Sequence, residues 1–219
     1  MTLIKWKNRS SEFIARRYDI LAPIYPIFSL FLMLPRGIRK KAVEALKLKK
    51  GDRVLEIGCG TGRNLGLLRT AVGNQGKVYG IDLSERMLQR AQSIIKQNNW
   101  TNVELVQGDA EGYTTPEPPN AVLFSLSYCV MPHRIEILSN TWQQLRKGGR
   151  IIIMDAQFPN GIMGKIMVPF KPMITLFLKA SILGNPYIKP IEELKEVTSI
   201  GVVVKEISMK SYFIATAEK

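Results

Sequence analysis

Glycines and acidic residues lie at the ends of two apolar runs of this chain. Their types and spacing are suited to binding a ligand. The run 53–57 leads directly into a turn that holds Gly58, Gly60 and Gly62. A turn this rich in glycine lets backbone N–H groups and the start of the following helix come close to a ligand. Asp82 ends the next apolar run, where a carboxylate can accept hydrogen bonds from ribose hydroxyls. The pattern predicts a nucleotide-binding site.

Alternating strands and helices must position these residues. The sequence predicts strands at 53–57, 77–81, 103–107, 121–126 and 150–154, and helices at 36–48, 64–71, 84–97, 134–145 and 191–199. Elements that alternate at these lengths indicate a parallel α/β sheet with helices on both faces. Two last runs, 202–207 and 211–216, predict a β-hairpin.

The chain length predicts one domain with additional segments. We interpret residues 49–219 as the ligand-binding domain and residues 1–48 as a basic, partly apolar N-terminal arm and helix. Residues 1–17 favour a frayed or amphipathic helix, and an apolar segment with several prolines follows from residue 18. Residues 157–190 form an insertion after the fifth strand, with four lysines and no acidic residue.

Positive charge is concentrated at the start of the chain. The 219 residues carry a net charge of +13, and residues 1–50 hold twelve Lys and Arg against three Asp and Glu, a net charge of +9. A basic end of this kind favours a polyanionic partner, either a nucleic acid or an anionic membrane surface.

An uncharged apolar segment, residues 20–35, lies inside this basic arm. Its sixteen residues include three prolines, whereas a membrane-spanning helix needs about 20 apolar residues. The segment is therefore too short and too interrupted to cross a bilayer, but it can lie in the interface. The late start of the apolar stretch does not favour a cleavable signal peptide.

The two cysteines, Cys59 and Cys129, do not have the spacing of metal ligands or of a disulfide framework. This usage favours a reducing, cytoplasmic compartment and predicts no metal site. The single histidine, His133, follows a proline at a predicted helix start. We interpret it as a cap or surface residue rather than a base.

Four segments together resemble the class I S-adenosylmethionine-dependent methyltransferases. They are 56–62 (EIGCGTG), 80–84 (GIDLS), 108–110 (GDA) and 145–150 (LRKGGR). Their order and spacing are similar to that family over about residues 36–156. The resemblance implies a Rossmann-like, doubly wound sheet of seven strands whose last strand is antiparallel, and S-adenosyl-L-methionine as the cofactor.

The resemblance also implies a set of cofactor-binding residues: Glu56, Gly58, Cys59, Gly60, Gly62, Asp82, Leu83, Met87, Asp109, Ala110 and Ser125. The glycine turn would pass under the methionine part, and Asp82 would bind both ribose hydroxyls. Leu83 would pack against the adenine, and Asp109 would take its amino group. Ser125 would line the methyl-transfer site together with Ser127. A structural acid at Glu56 and a plain loop residue at Asp109 stay open as alternatives.

Two further segments resemble the lipid amine N-methyltransferases of the phosphatidylethanolamine and betaine-lipid types. Residues 18–25 (YDILAPIY) are close to an N-terminal Tyr-Asp-x-x-Ala-x-x-Tyr-Asp element of those enzymes, although Pro26 replaces the second Asp. Residues 125–132 (SLSYCVMP) resemble their Ser-Tyr run after strand four. The first element also occurs in quinone C-methyltransferases. The resemblance implies a lipid headgroup amine as acceptor, and the alternative is a quinone or another small molecule.

Methyl transfer from a sulfonium needs alignment more than acid–base help. Aromatic faces attract quaternary ammonium groups, so Tyr18, Tyr25 and Tyr128 are candidate catalytic residues, with ordinary core tyrosines as the alternative. A nucleic-acid substrate is disfavoured, because no Asn-Pro-Pro-Tyr or Asp-Pro-Pro-Tyr motif follows strand four and no RNA-binding module is indicated. We expect a cytoplasmic enzyme whose arm and insertion contact an anionic membrane or cover the active site. A cofactor-binding protein without catalysis stays open.

Overall fold

The computed structural model describes residues 11–25, 34–156, 188–207 and 212–219. Several sequence predictions concern residues outside these ranges. They are the first ten residues of the arm, most of the apolar segment, nearly all of the insertion and the turn of the C-terminal hairpin.

Seven strands form one sheet in the order β3-β2-β1-β4-β5-β7-β6. They are β1 (Arg53–Ile57), β2 (Lys77–Asp82), β3 (Val103–Gln107), β4 (Ala121–Ser125), β5 (Arg150–Ala156), β6 (Val203–Ile207) and β7 (Tyr212–Glu218). The pairs from β3 to β5 are parallel, and β7 is antiparallel to both β5 and β6. The predicted doubly wound sheet with an antiparallel last strand is confirmed.

Six α-helices surround this sheet in the described part of the chain. They are α1 (Ser11–Leu21), α2 (Ile38–Ala45), α3 (Leu65–Val72), α4 (Glu85–Gln97), α5 (Arg134–Gln144) and α6 (Pro190–Thr198). None of the helices in the described ranges is long and apolar enough to cross a bilayer. The prediction that helical structure ends near residue 17 was wrong, because α1 continues to Leu21 and stops only where Pro23 follows.

The central strands are buried on both faces. Leu55, Phe124 and Ile153 belong to one hydrophobic core, while their neighbours Val54 and Leu123 belong to the core on the other side. Parallel strands covered by helices on both faces have this continuous apolar pattern. The two cores hold β1, β4 and β5 rigidly at the centre of the sheet.

The strand order reverses between β1 and β4. From β1 the chain winds outward to β2 and β3 and then returns to place β4 on the other side of β1. In open α/β sheets a crevice forms at the carboxyl ends of the strands at such a switch point. The residues that follow β1, β2 and β4 therefore meet at one edge of the sheet.

Candidate active site

A cleft of about 850 Å³, counting its part open to solvent, lies at this edge. The cleft brings together most of the residues predicted from the sequence: Glu56, Gly58, Cys59, Gly60, Asp82, Leu83, Met87, Asp109, Ala110, Ser125, Tyr18 and Tyr25. Two predicted site residues, Gly62 and Tyr128, do not line it.

The turn after β1 packs closely against the segment that follows β4. Gly58 has φ +69°, and a Cβ there would lie 2.6 Å from the Cβ of Ser127. Ser127 in turn donates a hydrogen bond from Oγ to the Ile57 carbonyl at 2.7 Å. Only glycine satisfies both the left-handed backbone and this close approach.

Asp82 fixes the shape of the cleft between β1 and β2. Its Oδ2 accepts a hydrogen bond from the Gly60 N–H at 2.8 Å, and its Oδ1 accepts one from the Ser84 N–H at 2.9 Å. Burial raises the pKa of Asp82, while these backbone donors oppose the shift. Each carboxylate oxygen keeps a lone pair for a further donor, so Asp82 can hold the turn and still accept from a ligand.

Glu56 is almost completely enclosed, with 1% of its surface exposed. Its Oε1 accepts a hydrogen bond from Asn64 Nδ2 at 2.5 Å, whereas Oε2 is buried and has no partner among the described residues. Burial raises the pKa of Glu56 to about 7, although Asn64 and Arg39 act in the opposite direction. A buried carboxylate oxygen with an unused acceptor position is suited to a cationic donor.

Arg39 is a site residue that sequence reasoning missed. It projects from α2 into the cleft, and its Nη1 donates to Asn64 Oδ1 and to Ser125 Oγ, each at 3.2 Å. The sequence holds a signal, because Ile38, Ala42 and Val43 of α2 are buried and Arg39 lies within that apolar stripe. A charged residue at such a position usually has a specific partner.

Helix α1 covers the cleft. Its residues Ile14 and Tyr18 line the cavity, and Ser11 donates from Oγ to Asp109 Oδ2. Asp19 holds the other end, because its Oδ1 accepts from Ser84 Oγ at 2.6 Å and from the Arg86 N–H at 3.1 Å. The arm is therefore tied to the loops that carry the two predicted ligand-binding aspartates.

Tyr128 and Gly62 have packing roles instead. Tyr128 is fully buried, its ring meets Phe124 edge-on at 5.5 Å, and its hydroxyl donates to Glu193 Oε2 at 2.9 Å. Gly62 lets helices approach, since a Cβ there would lie 3.0 Å from the Cβ of Ala91 in α4. The structure gives no support for placing these two residues in the site.

His133 and Cys59 behave as ordinary structural residues. His133 occupies the position before α5 as predicted, but its side chain makes no cap hydrogen bond and lies 3.5 Å from Glu111. Cys59 lines the cleft, and burial raises the pKa of its thiol well above the ordinary value. A neutral thiol is not a nucleophile.

This sheet order, with a glycine turn after β1 and an aspartate lining the cleft at the end of β2, defines the class I S-adenosylmethionine-dependent methyltransferase fold. A family model described as a methyltransferase domain matches residues 48–176. That match covers more than half of the sequence, and the chain belongs to this family.

Solved structures show the same fold. A SAM-dependent methyltransferase from Aquifex aeolicus superimposes with a TM-score of 0.61 over 83% of this chain and 89% of that chain, at 22% identity. A putative methyltransferase from Bacillus halodurans gives a TM-score of 0.59 over 78% of this chain and 71% of that chain, at 23% identity. At 22% and 23% sequence identity, these similarities establish a shared fold and nothing more specific.

Two curated proteins are similar in sequence. A probable cobalt-precorrin-6B C(15)-methyltransferase (decarboxylating) from Saccharolobus solfataricus is 36% identical over 124 residues, which cover 55% of this chain and 61% of that protein. A demethylmenaquinone methyltransferase from Listeria welshimeri is 30% identical over 125 residues, which cover 56% of this chain and 52% of that protein. The match thus spans between half and two thirds of the length of each relative.

The residues of the cleft fit the cofactor that the family implies. The free Oε2 of Glu56 can accept an ammonium group, and Asp82 has acceptor positions left for hydroxyls. The open space in front of Gly60, where a Cβ would meet nothing within 4 Å, leaves the backbone accessible to a ligand. These observations match an adenosyl group with an amino-acid end.

Proposed function

We propose that this protein transfers the methyl group of S-adenosyl-L-methionine to a small-molecule acceptor. The observation that carries the proposal is the cleft itself, which gathers Glu56, Asp82 and Asp109 around one glycine turn. Asp82 would accept the ribose hydroxyls, and Asp109 the adenine amino group. Leu83 and Met87 would pack against the adenine.

When bound, the cofactor supplies an electrophilic methyl group on a sulfonium centre. The part of this chain is to align the acceptor and to exclude water. Burial raises the pKa of both Tyr18 and Tyr25, so their hydroxyls stay protonated at neutral pH. They would act by position and hydrogen bonding rather than as bases.

A quinone-type or other apolar ring compound is the acceptor that we favour over a lipid headgroup. The relatives support this choice, because one of them is a demethylmenaquinone methyltransferase and the other a probable cobalt-precorrin methyltransferase. The wall of the cleft beyond Ser127 is also apolar, formed by Val130, Met131, Pro132 and Ile137. Such a wall suits a ring system better than a charged amine.

Methyl-labelled cofactor tests this proposal directly. The purified protein is incubated with a demethylated quinone, and separately with vesicles that contain phosphatidylethanolamine. We expect label in the quinone, and none with an Asp82→Ala variant. Label found only in the phospholipid would overturn the choice of acceptor, and failure to bind the cofactor at all would overturn the proposed activity.

A lipid headgroup amine at an anionic membrane is the second candidate, and one feature of α1 favours it. Phe13, Arg16, Arg17 and Ile20 share one side of this helix, which we name the outer face of α1. Phe13 is 39% exposed and Ile20 76% exposed, and the Arg17 guanidinium lies 5.3 Å from the centre of the Phe13 ring. Apolar and cationic groups in this arrangement are typical of helices that lie on anionic bilayers.

A further inference from the structure

The segment that follows β4 has a strained backbone position inside the cleft. Leu126 has φ +57° and lines the cleft, although a left-handed backbone is unfavourable for a bulky side chain. The other described non-glycine residues with such a φ are Lys47, Asn99 and Ser199, which lie just after the ends of helices, where this conformation is common. Leu126 instead follows a strand directly. Its conformation must therefore be held by its surroundings.

Two hydrogen bonds fasten the next residues of this segment to the sheet. Ser127 donates from Oγ to the Ile57 carbonyl at 2.7 Å, and the Cys129 N–H donates to Asp155 Oδ2 at 3.2 Å. These bonds fix residues 127–129 against the ends of β1 and β5. The apolar wall of the cleft, residues 130–132, follows immediately.

A carboxylate from α6 holds both ends of this wall. On one side the Tyr128 hydroxyl donates to Glu193 Oε2 at 2.9 Å. On the other side Arg134 donates from Nε to the same oxygen at 2.9 Å and from Nη2 to Glu193 Oε1 at 2.7 Å. Two parallel bonds between a guanidinium and a carboxylate fix the geometry more firmly than a single bond does. Glu193 therefore closes a loop that has the apolar wall at its middle.

This ion pair is shielded from solvent, and the wall lies close to the glycine turn. The side chains of Arg134 and Glu193 are 24% and 15% exposed, so salt screens the pair less than it screens a surface pair. Cε of Met131 lies 3.1 Å from the position that a Cβ on Gly58 would occupy. The position of the wall therefore sets the width of the cleft beside the glycine turn.

We propose that Glu193 is a positioning residue for the acceptor and determines which acceptors fit the cleft. It joins Tyr128 to Arg134 and so holds the apolar wall at a fixed distance from the glycine turn. The inference rests on the proposed function for the nature of the acceptor. It adds a residue of α6, which does not itself line the cleft, to the determinants of specificity.

Steady-state kinetics with the demethylated quinone test this role, with kcat and KM measured separately for the quinone and for the cofactor. The variants are Glu193→Ala and Arg134→Lys. Glu192→Ala is a control on the same helix, because Glu192 is an exposed acid. Glu218→Ala is a second control, because it removes the carboxylate that pairs with Arg150 at the opposite end of β5.

We expect Glu193→Ala to lower kcat/KM for the quinone by about 10- to 100-fold, because small displacements of a bound reactant have effects of this size. KM for the cofactor and the Kd of S-adenosylhomocysteine should stay within about twofold, since other elements bind the cofactor. Arg134→Lys keeps the charge but cannot form the two parallel bonds, so it should show a smaller loss for the quinone. The two controls should change neither quantity.

A Glu193→Ala protein that is folded by circular dichroism and keeps the wild-type kcat/KM for the quinone would overturn the proposal. Equal losses for the quinone and the cofactor would also overturn it, because they would indicate a general structural defect. If Glu193→Ala does not fold, Arg134→Lys decides by the same criteria. A wild-type protein that transfers no methyl group to the quinone would count against the proposed function and, with it, against this role of Glu193.

Discussion

At the scale of single residues, burial decides what the acidic groups of the cleft can do. Glu56 and Asp82 both lie at the ends of buried strands, but their partners differ. Asp82 accepts two backbone hydrogen bonds, whereas the Asn64 amide is the one partner of Glu56 among the residues that the structure describes. The less satisfied carboxyl is therefore the one whose protonation should respond to pH near neutrality.

The first prediction concerns Glu56 in the protein without ligand. Its pKa is raised from the ordinary 4.5 to about 7 by burial, so the native state binds a proton that the unfolded chain releases. The free energy of unfolding should therefore fall as pH rises from about 4.5 to about 7, by up to about 3 kcal/mol. Glu56→Gln should remove this part of the pH dependence.

Urea unfolding followed by circular dichroism across this pH range measures the effect. Glu136→Gln is the matched control, because Glu136 is an exposed carboxylate and should leave the slope unchanged. An identical pH slope for the wild-type protein and Glu56→Gln would show that other groups cause the dependence.

The second prediction concerns Tyr128, a catalytic candidate from the sequence that is buried in the core and does not line the cleft. Tyr128→Phe loses one hydrogen bond to Glu193, while Arg134 still binds that carboxylate through two nitrogens. The free energy of unfolding should fall by about 1 to 2 kcal/mol, and kcat/KM should stay within about twofold of wild type.

Tyr25→Phe is the matched comparison, because Tyr25 lines the cleft. This variant should lose turnover without a comparable loss in the free energy of unfolding. If Tyr128→Phe loses turnover at temperatures where the variant is folded, Tyr128 takes part in catalysis and the prediction is wrong.

At the scale of elements, α1 is attached to the cofactor side of the sheet through a few contacts. Asp19 completes the N-terminal cap of α4 together with Ser84, and Leu21 and Ala22 pack against Met87. The helix therefore covers the same loop whose aspartate, Asp82, lines the cleft. Closure of the arm and binding of the cofactor should be coupled through this loop.

The third prediction tests that attachment with Asp19→Ala. Loss of its two hydrogen bonds should weaken docking of α1 by about 1 to 2 kcal/mol, or about 5- to 30-fold in the opening equilibrium. Trypsin should then cleave after Arg16 or Arg17 faster by a similar factor. The cofactor should also protect the variant against trypsin less well than it protects the wild-type protein.

Glu12→Ala is the control for this experiment, because Glu12 is an exposed acid on the same helix. Equal cleavage rates for Asp19→Ala and Glu12→Ala would mean that Asp19 does not hold the arm.

At the scale of the whole molecule, charge is distributed unevenly. The net charge is +13, of which +9 lies within the first fifty residues, and the outer face of α1 adds exposed apolar groups to this basic end. Outside α1, Lys147 is an exposed cation and Ile135 is an apolar residue whose side chain is 43% exposed. These two residues serve as control positions with similar side chains elsewhere on the surface.

The fourth prediction is that the outer face of α1 binds anionic vesicles. Arg16→Gln combined with Ile20→Ser should weaken co-sedimentation by at least about tenfold, from about 1 kcal/mol per basic residue and a similar contribution from the isoleucine. Lys147→Gln combined with Ile135→Ser should have little effect. If the wild-type protein does not bind the vesicles, or if its binding does not weaken with added salt, the membrane contact is contradicted.

The sequence by itself determined the sheet and most of the cofactor side of the cleft. Short apolar runs located β1 to β5 to within about two residues of their ends, since the hydrophobicity of a strand buried on both faces is a local property of the chain. The places of the glycine turn and the two aspartates in the cleft were also predictable, because these residues lie at or directly after the ends of strands. Ser84 begins the predicted helix 84–97, and in the structure it caps α4 by accepting from the Met87 N–H at 3.2 Å.

Only the tertiary structure decided which side chains from separate elements meet. Arg39 is one of several basic residues on its helix, and its place in the cleft depends on how α2 packs against α3 and β5. Tyr128 was a candidate because its aromatic ring could face a quaternary ammonium group and it lies in a Ser-Tyr run, but it begins a short turn and its ring lies in the core. Contacts between residues far apart in sequence depend on packing that local patterns do not encode, and that packing sets the charges around the glycine turn.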